Sequence, residues 1–423
     1  IDNLWGVSDQ REVNFGVRRL RAVANSGGPA DALPYTLEVN GQRIFVRGWN
    51  WVPMDALYGV ERPDKLRRLI SLVKDANVNL LRVWGGGLIE KEAFYNLCDE
   101  QGIMVWQEFI QSSSGIDNNP PEDAEFIRFL VNEAKQIVPA RRNHPSLAIW
   151  CGGNELTRGE KPLDDRHPML AALKAVVRAE APDCIWLPTS SSGPVFGNGL
   201  EEIEKRPNDL HDVHGPWEYQ GLEKQYQLYN RGTSLFHSEF GAEGVTNYRS
   251  LERSIALEHR FPVNRDNPVW FHLGAWWVKE AMWHSVFGEF ADLEQAICAT
   301  QFLQYEGLRY AVEADRRRWP RNSGTIPWQF NEPFPMAACS SAVDYYSEPK
   351  PVYYAVRAAY RRVHVSARYE RLAWGGQERF KADLWVTCDG QELPLEGRLT
   401  WAVQEMDGAV VEQGEAPVHL THE

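Results

Sequence analysis

The chain lacks the cysteine spacing of a metal knot or a redox motif. Its six cysteines (Cys98, Cys151, Cys184, Cys298, Cys339 and Cys388) stand singly along 423 residues, with no C-x-x-C among them. That argues against structural zinc and thiol–disulfide chemistry; several fall inside apolar runs and are expected as buried free thiols. Long apolar runs are missing too, so no stretch reads as a membrane-spanning helix. Positive charge is in deficit: 45 Lys and Arg against 58 Asp and Glu leave a net charge of −13. That balance disfavours nucleic acid and anionic membrane as partners and suits an enzyme acting on neutral substrates. No signal-peptide pattern opens the chain, and position 1 is Ile1, not Met. The compartment, cytoplasmic or periplasmic, and the oligomeric state stay open.

What is abundant is aromatic surface. Hydrophobic residues make up 43% of the chain and 17 residues are tryptophan, enough for one large domain plus smaller pieces. Most of these indoles are expected in the core; the surplus fits a carbohydrate site, where an indole face stacks on sugar C–H bonds.

One stretch organises the rest: Leu147-Ala148-Ile149-Trp150-Cys151-Gly152-Gly153-Asn154-Glu155. A short apolar run reads as a buried parallel strand. Two glycines let the chain turn, and Asn154 and Glu155 follow at the strand's C-terminal mouth, where α/β barrels place their chemistry. A second strand, Ser234-Leu235-Phe236-His237-Ser238-Glu239-Phe240-Gly241, also ends in a glutamate and a glycine. Two such carboxylates fit glycoside hydrolysis.

Reading in order, residues 12–20 alternate as a strand and 25–29 form a linker. Strands are then expected at 44–48, 79–84, 103–109, 147–151, 184–187, 210–214, 234–239 and 325–330. Helices fall between them at 63–76, 91–101, 122–142, 167–180 and 218–230, a helical insertion follows at 251–318, and a closing helix lies at 352–361. Eight alternations predict a (β/α)8 TIM barrel, an α/β fold closed without an edge. After residue 363 alternating strands return at 379–386 and 399–403, read as a partial β-sandwich. The domain reading is a preceding β-domain remnant with linker over 1–30, the barrel over 31–362, and a partial C-terminal β domain over 363–423. A chain that opens on a lone strand and closes on a partial sandwich is expected to be part of a larger protein.

These motifs resemble glycoside hydrolase family 2, and within it the exo-β-mannosidases, over roughly residues 35–362. The resemblance rests on Asn154-Glu155, on Ser238-Glu239-Phe240-Gly241 and on Leu81-Arg82-Val83-Trp84-Gly85-Gly86-Gly87. Gly102-Ile103-Met104-Val105-Trp106-Gln107, Trp328-Gln329 and Asp344-Tyr345-Tyr346 add to it. It implies a retaining exo-β-glycosidase with Glu155 as acid/base and Glu239 as nucleophile, about 5–5.5 Å apart. It also implies that Asn154 binds the sugar 2-hydroxyl. No cofactor and no metal are expected: His211 and His214, three apart on a strand, point to opposite faces.

Around the two carboxylates, Arg82 and Trp84 share a strand face, and an inward Arg82 can pair with Glu239. Trp84 and Trp328 are candidate sugar walls, Trp51 and Asp55 candidate rim residues. His214 is expected to bond the nucleophile or the substrate. His237, two before Glu239, is expected to face the same way. Glu108 stands where the resembling mannosidases carry Asp, and Gly215 where they carry an aromatic residue. Both departures bear on which sugar is taken. The reading favours a β-D-mannoside; a β-galactoside, β-glucuronide or β-glucosaminide, or a silent sugar-binding barrel, are the alternatives.

Overall fold

The computed structural model describes residues 2–3, 6–7, 9–10, 12–112, 118–275, 278–376, 378–389 and 395–421. Its centre is an eight-stranded sheet: β1 (Val46–Trp51), β2 (Leu80–Val83), β3 (Met104–Glu108), β4 (Leu147–Cys151), β5 (Ile185–Leu187), β6 (Asp212–His214), β7 (Phe236–Gly241) and β8 (Gly324–Trp328). The spatial order is 5-4-3-2-1-8-7-6, with every recorded neighbour pair parallel. Between strands run α1 (Pro63–Asp75), α2 (Glu92–Gln101), α3 (Ala124–Arg141), α4 (Pro168–Glu180), α5 (Leu200–Lys205), α6 (Lys224–Arg231) and α7 (Leu293–Arg317), and α8 (Pro351–Ala359) follows β8. This is the expected (β/α)8 architecture.

Local chemistry explains the boundaries. Pro63 opens α1 with its φ already set, and Leu66, Leu69, Ile70 and Val73 turn one buried stripe to the sheet. Gly102 ends α2 in the left-handed region at φ 67, a conformation glycine adopts without a Cβ penalty. Asp123 caps α3 by accepting from the Phe126 N–H, satisfying a donor the helix leaves open.

Alternation along the strands sorts the side chains. On β1, Asn50 points into the barrel while Trp49 and Trp51 point to the helices and join the main core. A second core closes the N-terminal end of the barrel, built from Tyr35, Leu37, Val46, Leu80, Phe236 and Ile326, with Trp106 above them. A three-stranded antiparallel sheet of Leu20–Val23, Thr36–Val39 and Gln42–Ile44 covers it.

Three expectations are corrected. Of residues 12–20 only Leu20 belongs to a strand; Val13, Phe15 and Val17 are exposed. Arg18 ties this segment to the foot of β4, donating to the Pro145 and Leu147 carbonyls at 2.5 Å each. The covering sheet also joins residues on both sides of position 30, so a boundary there cuts through paired strands. Second, the ladder does not run from β5 to β6 among the described residues. The returning chain spans that seam, with His214 N–H donating to the Phe196 carbonyl and Asn198 N–H to the His214 carbonyl, both at 2.9 Å. Third, residues after 363 form two separate antiparallel pairs, Val363–Arg368 with Asp383–Cys388 and Leu395–Gln404 with Val410–Leu420. The first pair is held to the barrel by Asp389, which meets Arg47 at 2.5 Å and Arg316 at 3.5 Å.

The cysteines are free as expected, with Cys98, Cys151, Cys184 and Cys339 buried, Cys388 half-buried and Cys298 exposed.

If the N-terminal sheet is an integral cap on the barrel, Leu37→Ala lowers the unfolding free energy by about 2–5 kcal/mol, the range for emptying a packed core site. Urea unfolding followed by tryptophan fluorescence measures it. A loss below about 0.5 kcal/mol, the scale of a surface substitution, would show the sheet to be an appendage.

Candidate active site

The inward face of the C-terminal half of the barrel is polar, and Arg82 is at its centre. Leu80 lies in the lower core, so by alternation Arg82 on the same strand also points inward, with no exposed surface. Its Nη1 donates to Glu239 Oε2 at 2.7 Å and to Asn50 Oδ1. Its Nη2 donates to Asn154 Oδ1 at 2.6 Å and its Nε to Glu108 Oε1 at 3.0 Å. A buried guanidinium is tolerable when carboxylates and hydrogen bonds surround it.

Glu239 is at the inner end of β7, and simple alternation does not put it there. Ser238 also points inward, towards Asp212 and Ser190. A register shift between His237 and Phe240 breaks the period of two, which lets consecutive residues face the barrel. His237, expected beside Glu239, instead stacks on Phe240 at 4.1 Å and meets Asp315 at 3.3 Å in the outer layer. The second Glu239 oxygen accepts from the Trp217 indole N–H at 2.9 Å.

Sequence reasoning missed Trp217. Gly215 explains it: at φ 73, a Cβ there would meet the Trp217 ring at 2.9 Å. The position noted for lacking an aromatic residue is therefore the turn that brings in an aromatic two residues on.

Glu155 follows β4, with its backbone in the left-handed region at φ 54 and its N–H donating to the Ser190 carbonyl at 2.5 Å. One of its oxygens, one of Glu239 and a ring nitrogen of His214 lie within 4.8 Å of one another. His214 Nδ1 is 2.9 Å from Glu155 Oε1. The histidine therefore partners Glu155 and not the other carboxylate. Burial pushes the His214 imidazole down to about 3, so it is neutral near pH 7. Three such groups are the kind that hold a divalent ion, but the Arg82 cation already on Glu239 opposes a second positive charge. We read them as proton-handling groups. His211 turns away, its Nε2 3.1 Å from the Asn208 carbonyl.

The remaining sequence candidates divide. Asn154 is buried at the site, its amide donating to Ser112 Oγ at 3.1 Å. Trp84 and Trp328 meet edge to face at 5.4 Å, with Trp84 partly exposed at the mouth. Trp51 is corrected. It is fully buried, donates to Glu90 at 2.8 Å and packs on Phe94 and Phe330, because its parity on β1 is opposite to that of Asn50. Asp55 is a loop fastener, accepting from Tyr345 at 2.8 Å, from Arg62 at 2.5 Å and from the Leu57 N–H at 2.9 Å. Glu108 has no exposed surface. One of its oxygens takes Arg82 and the other the Gly85 N–H at 2.8 Å, so it braces Arg82 from below.

With this geometry described, the chain can be set beside known proteins. Residues 35–178 match the model of the glycosyl hydrolases family 2, TIM barrel domain. Beta-mannosidase B of Emericella nidulans is 27% identical over 404 residues, 88% of this chain and 46% of that protein. Its counterpart in Aspergillus niger is 28% identical over 397 residues, 86% of this chain and 45% of that protein. The chain thus spans about half the length of the curated relatives it matches. Among solved structures, a beta-D-mannosidase from Dictyoglomus thermophilum superposes with a TM-score of 0.76 at 24% identity, covering 98% of this chain and 50% of that one. The exo-chitosanase CsxA of Amycolatopsis orientalis superposes with a TM-score of 0.62 at 17% identity, covering 96% and 52%. Both structural likenesses bear on the fold alone. Over residues 35–178 the chain thus resembles the barrel domain of glycoside hydrolase family 2. In sequence it is beta-mannosidase-like.

Burial raises the Glu108 carboxyl to about 7, with Arg82 pulling it back. A carboxyl raised in the folded state gives stability that is complete below its unfolded pKa and is lost as pH rises through the folded one. Glu108→Gln should therefore flatten the fall in unfolding free energy between about pH 4.5 and 7, by up to about 1.4 kcal/mol per pH unit. Urea titrations of both proteins across that window check it; parallel curves would mean Glu108 keeps an ordinary proton affinity.

Proposed function

We propose that the barrel, residues 31–362, is the catalytic unit of a retaining exo-β-glycosidase that removes terminal, non-reducing β-linked sugars, β-D-mannosides foremost. The observation that carries this reading is the facing pair, with oxygens of Glu155 and Glu239 within 4.8 Å. That separation suits direct attack by one carboxylate and leaves too little room for a water between the pair. The beta-mannosidase relatives at 27–28% identity support the choice of sugar.

The roles follow from the partners. Glu239 accepts from a guanidinium and an indole N–H, donors that suit a carboxylate held in place to attack. In the first step Glu239 attacks the anomeric carbon while Glu155 gives its proton to the departing glycosidic oxygen. In the second, Glu155 takes a proton from water as the water attacks the same carbon and releases Glu239. Asn154, oriented by Arg82, is placed to bond the sugar 2-hydroxyl, and Trp84 with Trp328 form the apolar wall.

The test separates the two carboxylates. Glu239→Ala should lose activity on every aryl glycoside by roughly 10⁴-fold or more. Glu155→Ala should lose roughly 10²–10⁴-fold on poor leaving groups and far less on 2,4-dinitrophenyl glycosides, with azide restoring turnover as a β-glycosyl azide. Equal sensitivity of the two variants to leaving-group pKa would refute the assignment. In a p-nitrophenyl glycoside panel the β-D-mannoside should be hydrolysed fastest; a faster β-galactoside, β-glucuronide or β-glucosaminide would keep the chemistry and change the sugar.

A further inference from the structure

A chain of hydrogen bonds leads from Glu155 to a buried carboxylate that the proposed chemistry does not use. Glu155 Oε1 meets His214 Nδ1 at 2.9 Å, and His214 Nε2 meets Ser190 Oγ at 2.8 Å. Ser190 Oγ lies 3.1 Å from Ser238 Oγ, and the Ser238 hydroxyl donates to Asp212 Oδ1. His214, Ser190, Ser238 and Asp212 are all fully buried. The other Asp212 oxygen accepts from the Ser192 N–H at 3.1 Å and from the Ser192 hydroxyl at 3.2 Å. Behind them the Tyr35 hydroxyl is 3.1 Å from Ser192 Oγ.

The direction of this chain is fixed by donor counting. An ionised Asp212 only accepts, so Ser238 spends its one proton on it and must accept from Ser190. Ser190 then spends its proton on Ser238 and must accept from His214 Nε2–H. A neutral imidazole protonated at Nε2 has a bare lone pair at Nδ1. The partner at that nitrogen, Glu155 Oε1, must therefore carry the proton.

We propose that Asp212 is a positioning residue which, through Ser238, Ser190 and His214, sets the tautomer of His214 and keeps Glu155 in its acid form. The proposal rests on the reading of Glu155 as the acid/base. The same direction serves the second step. In the first step the Glu155 O–H leaves Nδ1 and delivers its proton to the departing oxygen; the carboxylate then faces the Nδ1 lone pair, and that repulsion favours taking a proton from the incoming water. The chain's own protons stay where they are. Among the described residues, the other charged or titratable groups acting on it include Glu239, within 4.8 Å of both Glu155 and His214, Arg82, which acts on Asp212 and His214 alike, and His237, which acts on His214.

Asp212→Asn in the full chain is the test. The Ser192 N–H still needs an acceptor, so the amide oxygen faces it and the NH2 faces Ser238. Every bond then reverses, and His214 Nδ1–H donates to an ionised Glu155. The alkaline limb of the kcat/KM pH profile, measured with 4-nitrophenyl glycosides, should move down by at least about one unit. At pH 7 the loss on phenyl glycosides should exceed that on 2,4-dinitrophenyl glycosides by about tenfold or more. Ser190→Ala, which cuts the chain and leaves Asp212 in place, should move the limb the same way by less. An unmoved limb with equal losses on all leaving groups would overturn the proposal.

A readout independent of turnover is 15N NMR of histidine-labelled protein, with His214 assigned from the His214→Gln spectrum. The wild type should show His214 protonated at Nε2 and Asp212→Asn should show it protonated at Nδ1; the same tautomer in both would also overturn it. If no glycoside is hydrolysed, the functional reading fails while this spectrum still decides the direction of the chain.

Discussion

A single buried cation fixes the geometry of the barrel mouth. The Arg82 guanidinium bonds to side chains from β1, β3 and β7 and to Asn154 beyond β4. The backbone ladders between neighbouring strands set strand spacing but not where a carboxylate points. A planar fork with donors in fixed directions orients several acceptors at once, and a lysine ammonium, a point charge on a flexible stem, would not. Removing the cation would strand Glu108 and Glu239, both buried, without their counter-charge. One positive charge facing two carboxylates also explains why Glu108, the more deeply buried, holds its proton so tightly. Its burial and the nearby Glu239 raise its proton affinity against the pull of Arg82.

The barrel's ladder is interrupted where its polar network is densest. Between β5 and β6 no ladder is formed among the described residues, and unpaired strand edges leave donors and acceptors that need partners. Here the returning loop supplies them at His214, whose N–H donates to the Phe196 carbonyl and whose carbonyl accepts from the Asn198 N–H. His214, which takes both of these bonds, is also the residue that meets Glu155.

How much of this could be read from the sequence depends on the physical signal each feature carries. The eight strands were legible because each is a short apolar run ended by turn residues, and the helices because their apolar periodicity and caps are local. Glu155 and Glu239 were legible because each stands within two residues of a glycine near the C-terminal end of an apolar strand. Parity is where the reading failed. Trp51 was placed at the rim, yet it shares a face with Trp49, and nothing in Val46-Arg47-Gly48-Trp49-Asn50-Trp51 says which face is inward until Asn50 is seen against Arg82. His237 was set beside Glu239 on a rule of two that the register shift in β7 breaks. Trp217 carries no periodic signal; only the glycine turn at Gly215 directs it to the site. The strands after residue 363 were half legible, since exposed antiparallel pairs bury little and give weak alternation.

The two facing glutamates differ in the kind of partner that holds them, and the proposed roles rest on that difference. Among the described residues, Glu239 accepts from N–H donors, Arg82 and Trp217. Such groups can only donate, so they stabilise a carboxylate that acts through its lone pairs and loses its charge in the transition state. Glu155 faces an imidazole nitrogen, which is neutral and accepts when the ring proton sits on the other nitrogen. A group that must be acid in one step and base in the next is served by such a neighbour, and not by a fixed cation, which would favour the ionised form throughout. The neutral state of His214, enforced by burial, is what keeps that neighbour from becoming a cation itself.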